Sequence, residues 1–395
     1  MSKINNSHYS IAHYIMDQYS HFFKCVSVKY NVWFEFRNHH WIEIDSEYSL
    51  RNLINDELIP ELEKKIAKLC TNAMTKESMA RDRCFQKMEN LSRIIKSCEM
   101  NSFRASVIKE CAYIAYDADF SKSFLNQMNE NPNLICFNNG VYDLANDNFR
   151  EGEMNDYITL CTGYDYKPYD DADPIVAEIK YFLQQIQPDT ELREYLLMVL
   201  ASCIAGSCGA NKIYLLMGST GYRLMKLVGY VFGDLCRPMD AGFLEETKKQ
   251  CCWDSEIGNK KGIRVCPIDT RFTTELGTAL CSGLLKTIVG GDIFCAPNKY
   301  EKENTTYFKL QFKPFLLCDG VFPKIKAIDA AILERINLVK FSNSCPDITT
   351  DKMIQWRQMF MAMLIEYHKQ YKLEGLKLPQ AVMEATTEYR HQSKP

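Results

Sequence analysis

The spacing of apolar residues changes period several times along the first 150 positions. Residues 1–20 predict a short helix. Alternation over Val32, Phe34 and Phe36, and again over Trp41 and Glu43, predicts two strands over 32–37 and 40–45. Asn38-His39 joins them as a hairpin turn, and Trp33 and Trp41 read as packing anchors rather than ligand stackers. From 49 to about 114 the period becomes helical, through Leu53, Ile54, Leu58, Leu62, Ile66 and Leu69. The intervening charges are most simply a solvated face, with phosphate contact by Lys64, Lys65 and Lys68 as the alternative. Short apolar runs at 134–137 and 141–144 then flank Asn138-Asn139-Gly140. Asn-Gly between such runs signals a hairpin, because both residues tolerate positive φ. An α+β amino-terminal domain is expected over residues 1–170.

A polar linker at 170–174 ends in Asp173-Pro174, a cap residue followed by a first-turn proline. Ile175, Ile179, Phe182, Leu183 and Ile186 form one face of the helix that follows. Pro188 breaks it, and a second helix is predicted over 190–205, ended by Gly206 and Gly209. Strand and helix signals then alternate. Strands are predicted at 213–217, 263–268 and 315–318, with a helix over 224–232. This pattern predicts a parallel α/β core over 171–345 with a helical lead-in. A helical tail is expected over 346–395, helical from 351 to about 371 and frayed at its end.

Composition narrows the class. Of the 395 residues, 46% are hydrophobic and 25% charged, the balance of a soluble globular protein. A net charge of −3 gives no global argument for nucleic acid, which would need a local basic groove. The 17 cysteines contain no Cys-x-x-Cys pair, so buried free thiols are expected and no metal site. His39-His40 reads as a surface turn pair. No nucleophile–base arrangement can be defended from spacing. The first ten residues lack the apolar core of a signal peptide, and the uncharged stretch from 195 to 210 is short of a membrane span, so no membrane partner is expected.

One segment carries recognisable chemistry. The strand at 213–217 runs into Gly218-Ser219-Thr220-Gly221-Tyr222-Arg223-Leu224-Met225-Lys226, the strand–turn–helix frame of a P-loop. In the working pattern G-x-x-x-x-G-K-[ST], backbone N–H groups wrap the phosphates, Lys neutralises charge and the hydroxyl holds Mg²⁺. Gly218 fits the first glycine. Arg223, Leu224 and Met225 stand at the other three chemical positions. Lys226 is two residues late, roughly 200° around a helix at about 100° per residue, and does not simply replace the missing lysine.

Six ordered segments give this frame a context. They are 32–45 (VWFEFRNHHWIEID), 131–144 (NPNLICFNNGVYDL), 162–166 (TGYDY), 191–206 (ELREYLLMVLASCIAG), 285–292 (LKTIVGGD) and 311–319 (QFKPFLLCD). Together they resemble the poxvirus-type primase-helicases of nucleocytoplasmic large DNA viruses, over roughly residues 10–345. The resemblance implies an α/β P-loop core of the AAA+-like, superfamily 3 helicase kind, preceded by a family-specific α+β domain. It also implies ATP and Mg²⁺ as cofactors, a hexameric ring, single-stranded DNA as partner and a role in DNA replication. The family's primase domain finds no room in this chain, so primer synthesis is not expected.

Carried over by position, the resemblance assigns Gly218, Ser219, Thr220, Gly221 and Lys226 to the nucleotide, and Asp269, Asp319 and Arg335 to catalysis. It departs from the family in several places. Thr270 stands where a second acid is usual, Asp319 where Asn is usual, and Glu334 where Arg normally neighbours Arg335. Pro267 is awkward within a central strand. Lys286 is the DNA-side candidate, with Lys299 and Lys302 near a hairpin that lacks its family basic residue at Pro297. Three readings result: a degenerate paralogue with weak or absent ATP hydrolysis; an active helicase whose Lys226 or Arg223 reaches the phosphates through a rebuilt loop; or a scaffold, regulator or virion component. Partners would be copies of itself, an active paralogue in a mixed ring, or viral replication or virion proteins. The expected location is host cytoplasm, the viral replication site or the virion.

Overall fold

The structure is a computed structural model that describes residues 4–45, 47–75, 77–206, 211–245, 253–271, 277–297, 305–341 and 348–392. It divides into two compact units, residues 1–37 with 41–125, and residues 38–40 with 126–395.

In the first unit, helix α1 (His8–Tyr19) is capped by the Ser7 side chain, which accepts from the Ser10 N–H at 3.2 Å. Strands β1 (Phe23–Ser27), β2 (Val32–Arg37) and β3 (His40–Ile44) form one sheet in that order. Asn38 and His39 turn between β2 and β3 with φ of 49° and 67°, the left-handed pair a tight hairpin needs. Trp33 and Trp41 are buried, as packing anchors should be. The helical stretch is not continuous. It comprises α2 (Tyr48–Leu53), a π-helical turn (Ile54–Leu58), α3 (Ile59–Met74), α4 (Ser78–Glu99), α5 (Asn101–Ala115) and α6 (Ala118–Gln127). Leu50, Leu58, Leu62, Ile94, Val107 and Ile108 close a core with Ile11 and Ile15 of α1. Lys65 is held by Glu61 at 2.8 Å on the same helix.

The second unit opens with the antiparallel strands β4 (Leu134–Phe137), β5 (Gly140–Asp143) and β6 (Asn148–Arg150). Helix α7 (Pro174–Ile186) starts where Asp173 accepts from the Ile175 N–H at 2.8 Å, and α8 (Thr190–Ser202) where Asp189 accepts from Leu192 at 3.1 Å. The division after Leu125 lies well before the expected boundary at 170. The reason is packing: Phe137, Tyr142, Leu144 and Tyr164 share one apolar cluster with Ile179, Phe182 and Leu183 of α7.

At the centre, β7 (Ile213–Met217), β8 (Met239–Asp240), β9 (Val265–Asp269), β13 (Lys313–Cys318) and β15 (Ile336–Lys340) make a five-stranded sheet in the order β15-β7-β13-β9-β8. Every pairing is parallel. A parallel sheet is buried on both faces, so its strands read as apolar runs. Side chains alternate as a period of two demands. Tyr214, Leu216, Phe315, Leu317 and Val339 pack on one side with α7, α8 and α9 (Ser219–Phe232). Ile213, Leu215, Leu316, Leu338 and Ile268 pack on the other with Phe243, Ile288 and Tyr389. Pro267 is accommodated because β8, the outer neighbour of β9, pairs in register only with Ile268 and Asp269.

Smaller pairs decorate this core: β10 (Ala279–Cys281) with β14 (Lys324–Lys326), and the hairpin β11 (Ile293–Pro297) with β12 (Thr305–Lys309). The carboxyl-terminal region differs from a frayed tail. Helix Thr350–Glu374 buries Met353, Trp356, Phe360 and Leu364 in the main core. Helix Gln380–Gln392 packs on the edge strand β15, where the Thr386 hydroxyl accepts from the Leu338 N–H at 3.0 Å and Lys340 pairs with Glu388. None of the described helices is long and apolar enough to cross a membrane.

Gly233 ends α9 at φ 54°, where an added Cβ would sit 2.3 Å from the Thr162 carbonyl oxygen. Gly233→Ala is expected to destabilise the fold by about 1–3 kcal/mol, from left-handed strain plus the forced shift of that backbone. Urea unfolding of the two proteins measures it. A midpoint unchanged at equal slope would refute it.

Candidate functional site

In an open parallel α/β sheet, ligands bind in the crevice at the carboxyl ends of the strands. Here that edge carries Gly218 after β7, Asp269 at the end of β9 and Asp319 after β13. The three expected residues are therefore brought to one edge. The turn after β7 is not a loop. Helix α9 begins at Ser219, directly after Gly218, five residues before the position expected from the sequence. Ser219, Thr220 and Gly221 are its first turn.

Backbone geometry explains the tight turn. The Gly218 N–H donates to the Cys318 carbonyl at 2.8 Å, and the Phe341 N–H donates to the Met217 carbonyl at 2.9 Å. Gly218 has φ 117°, and a Cβ there would stand 3.1 Å from the Phe341 carbonyl oxygen, so glycine is required. A Cβ on Gly221 already meets Leu216 Cβ at 3.0 Å and the Phe341 ring at 3.6 Å. Leu224 and Met225, at the usual Lys and Ser/Thr positions, are 1% and 3% exposed in the main core. Lys226 projects elsewhere, its Nζ donating to Thr350 Oγ1 at 3.3 Å at the start of the long carboxyl-terminal helix.

The acidic side of the edge is occupied by the chain's own groups. Arg271 grips Asp269 with Nη2 at 2.6 Å from Oδ2 and Nε at 3.1 Å from both oxygens. The Tyr222 hydroxyl lies 3.1 Å from Asp269 Oδ1 and 2.9 Å from the Leu317 carbonyl. The Arg271 guanidinium lies over the Tyr222 ring at 4.3 Å, a cation–π contact. Burial and the Asp269 charge push the Tyr222 phenol well above its ordinary range. Thr270, fully buried, donates its hydroxyl to the Leu317 carbonyl at 2.9 Å. Asp319 is exposed and adds its field to that of Asp269 around Arg271.

The remaining expected residues lie apart. Arg335 ends the helix Ala330–Arg335, immediately before β15. Ile336 pairs with Ile213, so Arg335 is at the amino edge of the sheet, roughly 15 Å from the carboxyl edge at about 3.3 Å per residue. Lys286 pairs with Asp329 at 2.7 Å. Lys299 and Lys302 lie outside the described residues. The β11–β12 hairpin before and after them exposes Ile293 and Tyr307.

Sequence reading missed Tyr222 and Arg271. Arg271 lies two residues from Asp269, a local signal; Tyr222 is 47 residues away and carried none. It also missed a cluster of His40, Cys136 and Cys161, whose ligand atoms all lie within 4.8 Å of one another. Separations of 96 and 25 positions hide such a group from any spacing rule.

Comparison with known proteins adds the lineage. Residues 12–188 match the family model described as D5 N terminal like. The chain is 37% identical to a protein with a provisional helicase name in Acanthamoeba polyphaga mimivirus, over 97% of this chain and 42% of that one. It is 26% identical to a similarly named protein of Invertebrate iridescent virus 3, over 70% of this chain and 30% of that one. The apo C-terminal region of NrS-1 aligns with a TM-score of 0.40 and 13% identity, over 58% of this chain and 53% of that one. The chain spans less than half the length of these curated relatives. Over residues 12–188 it is thus similar to the D5 N terminal like family, and over most of its length to proteins with provisional helicase names in large DNA viruses.

Burial alone would raise the Asp269 pKa, but the Arg271 side chain and N–H, with the Tyr222 hydroxyl, outweigh it and hold the carboxyl below the usual range. A carboxylate depressed on folding contributes stability above its unfolded pKa of about 3.9, lost as pH falls through the folded value. Arg271 is half-exposed, and screening keeps this contribution under about 1 kcal/mol. Asp269→Asn should therefore lose less stability than the parent between about pH 6 and pH 3. Urea titrations at both pH values check it; identical acid losses would refute it.

Proposed function

We propose that this chain is a helicase-like DNA-replication protein that has given up ATP turnover and acts through binding. One observation carries the reading: α9 starts at Ser219, directly after Gly218, so Leu224 and Met225 stand in the core where a phosphate site needs Lys and a Mg²⁺-binding hydroxyl. A single preorganised electrostatic contact is worth about 3–4 kcal/mol in a transition state. Loss of both, with Asp269 already satisfied by Arg271 and Tyr222, leaves little to stabilise phosphoryl transfer. ATP and Mg²⁺, the cofactors the resemblance implies, would meet Leu224 and Met225 where they need a lysine and a hydroxyl.

What remains is a surface for DNA and for other subunits. Arg335, at the far edge of the sheet, cannot serve Gly218 and Asp269 of its own chain; a nucleotide role for it requires a neighbouring copy or an active paralogue in a ring. Single-stranded DNA would run past Lys286 and the β11–β12 hairpin; Lys299 and Lys302, the other candidates, lie outside the described residues. The work would take place at the viral replication site or in the virion, with replication or virion proteins as partners.

The purified chain is expected to show no ATP hydrolysis, with or without single-stranded DNA, beside an intact helicase of the same family. DNA-stimulated turnover would overturn the reading and make the protein a motor. Leu224→Lys should not rescue turnover: an unpaired charge forced into this core would cost several kcal/mol of stability, read by thermal unfolding. Lys286→Ala should weaken single-strand binding and reduce the slope of log K against log salt by about 0.7, the share of one phosphate contact. An unchanged slope would remove Lys286 from the interface.

A further inference from the structure

The second unit contains a set of ligand-type side chains that the nucleotide edge does not use. His40 stands at the end of the Asn38–His40 turn, Cys136 on β4 and Cys161 in the segment bridged in parallel to it. Their ligand atoms lie within 4.8 Å of one another, Cys136 and Cys161 are buried, and His40 is half-buried. We propose that His40, Cys136 and Cys161 form a zinc site, with a water or another exchangeable ligand in the fourth position.

Three features of the surroundings fit a cation. The first is ring orientation. His40 Nδ1 lies 2.8 Å from the Asn38 carbonyl. With the proton on Nδ1, that N–H donates to the carbonyl and the lone pair resides on Nε2, the arrangement that orients metal-bound histidines. The second is local charge. Cys136 Sγ is ringed by the carbonyl oxygens of Phe137 at 3.4 Å, His39 at 3.8 Å and Asn38 at 4.0 Å, and the Asp234 carboxylate accepts the Cys161 N–H at 3.2 Å. Such a shell favours a positive ion. The third is support for a thiolate. The Gly163 N–H points at Cys161 Sγ at 3.4 Å, as N–H groups do at metal-bound sulfur.

The donor set selects the metal. Two thiolates and one imidazole suit zinc, with Zn–S near 2.3 Å and Zn–N near 2.0–2.1 Å. Tetrahedral geometry then sets neighbouring ligand atoms roughly 3.5–3.8 Å apart, so the cluster closes with adjustments of about 1 Å. Binding would release the two thiol protons, and affinity should rise with pH. A site with three protein ligands has room for a fourth partner, and its half-buried histidine gives the metal a route in.

The test uses the full chain, reduced and stripped of metal. Titration with Zn²⁺ should show one tight equivalent, and Co²⁺ should give thiolate-to-cobalt charge-transfer absorption with tetrahedral ligand-field bands. X-ray absorption of the zinc protein should show two sulfur neighbours and one imidazole. This readout needs no variant, so it holds even if a substituted chain misfolds. Cys161→Ser should weaken binding by about tenfold or more, since even losing an outer-shell partner costs about 10–100-fold. Cys295→Ser, an exposed cysteine on β11, should leave it unchanged. Absence of the cobalt bands in the reduced protein overturns the proposal. So does a zinc shell without sulfur, or a Cys136–Cys161 disulfide that persists under reductant and excludes metal.

Discussion

The Gly218 N–H that donates to the Cys318 carbonyl, together with the Phe341 N–H that donates to Met217, stitches the end of β7 to both neighbouring strands. A strand anchored on two sides through its last residue has no slack, so the chain must turn at Gly218 and coil at once. Everything at this edge follows from that constraint. The early start of α9 sets which residues face inward. Thr220, Leu224, Leu227, Val228 and Val231 form its buried stripe, and Tyr222 is left facing Asp269. Leu224 and Met225, which stand where the P-loop pattern has Lys and Ser/Thr, are core residues in this packing.

The same stripe shows how far the chain could be read in advance. Spacings of three and four from Thr220 onward belong to one helix. The P-loop frame overrode them by reserving the five residues 219–223 for a loop. Local signals were dependable elsewhere: Asn138-Asn139 turns between β4 and β5, with Gly140 opening β5, and Asp173-Pro174 opens α7. Val382, Ala385 and Tyr389 gave the last helix an apolar face, but the polar residues between them made it look frayed. The division into compact units after Leu125 left no sequence signal for another reason. The β4–β6 sheet reads like the end of a first domain, yet its inward side chains complete the core of the second unit.

The candidate site was legible only in part. Gly218, Asp269 and Asp319 were identifiable because each ends or follows an apolar strand, and strands in a parallel sheet end at a common edge. Arg335 precedes its strand, so the same topology separates it from the others. Contacts between side chains distant in sequence left no periodic trace. Tyr222 with Asp269, and His40 with Cys136 and Cys161, exist only once the backbone is folded.

The last helix bears on how copies of this chain could meet. An edge strand normally offers a row of unpaired backbone groups to any passing strand. On β15 the Thr386 hydroxyl takes up the Leu338 N–H, and Glu388 holds Lys340 beside it. The helix thus acts as a selvage, finishing the border of the sheet so that no further strand can be woven on. On this side of the sheet the border is closed by side-chain groups, whose fit can be tuned one residue at a time, rather than left to the indiscriminate chemistry of the backbone.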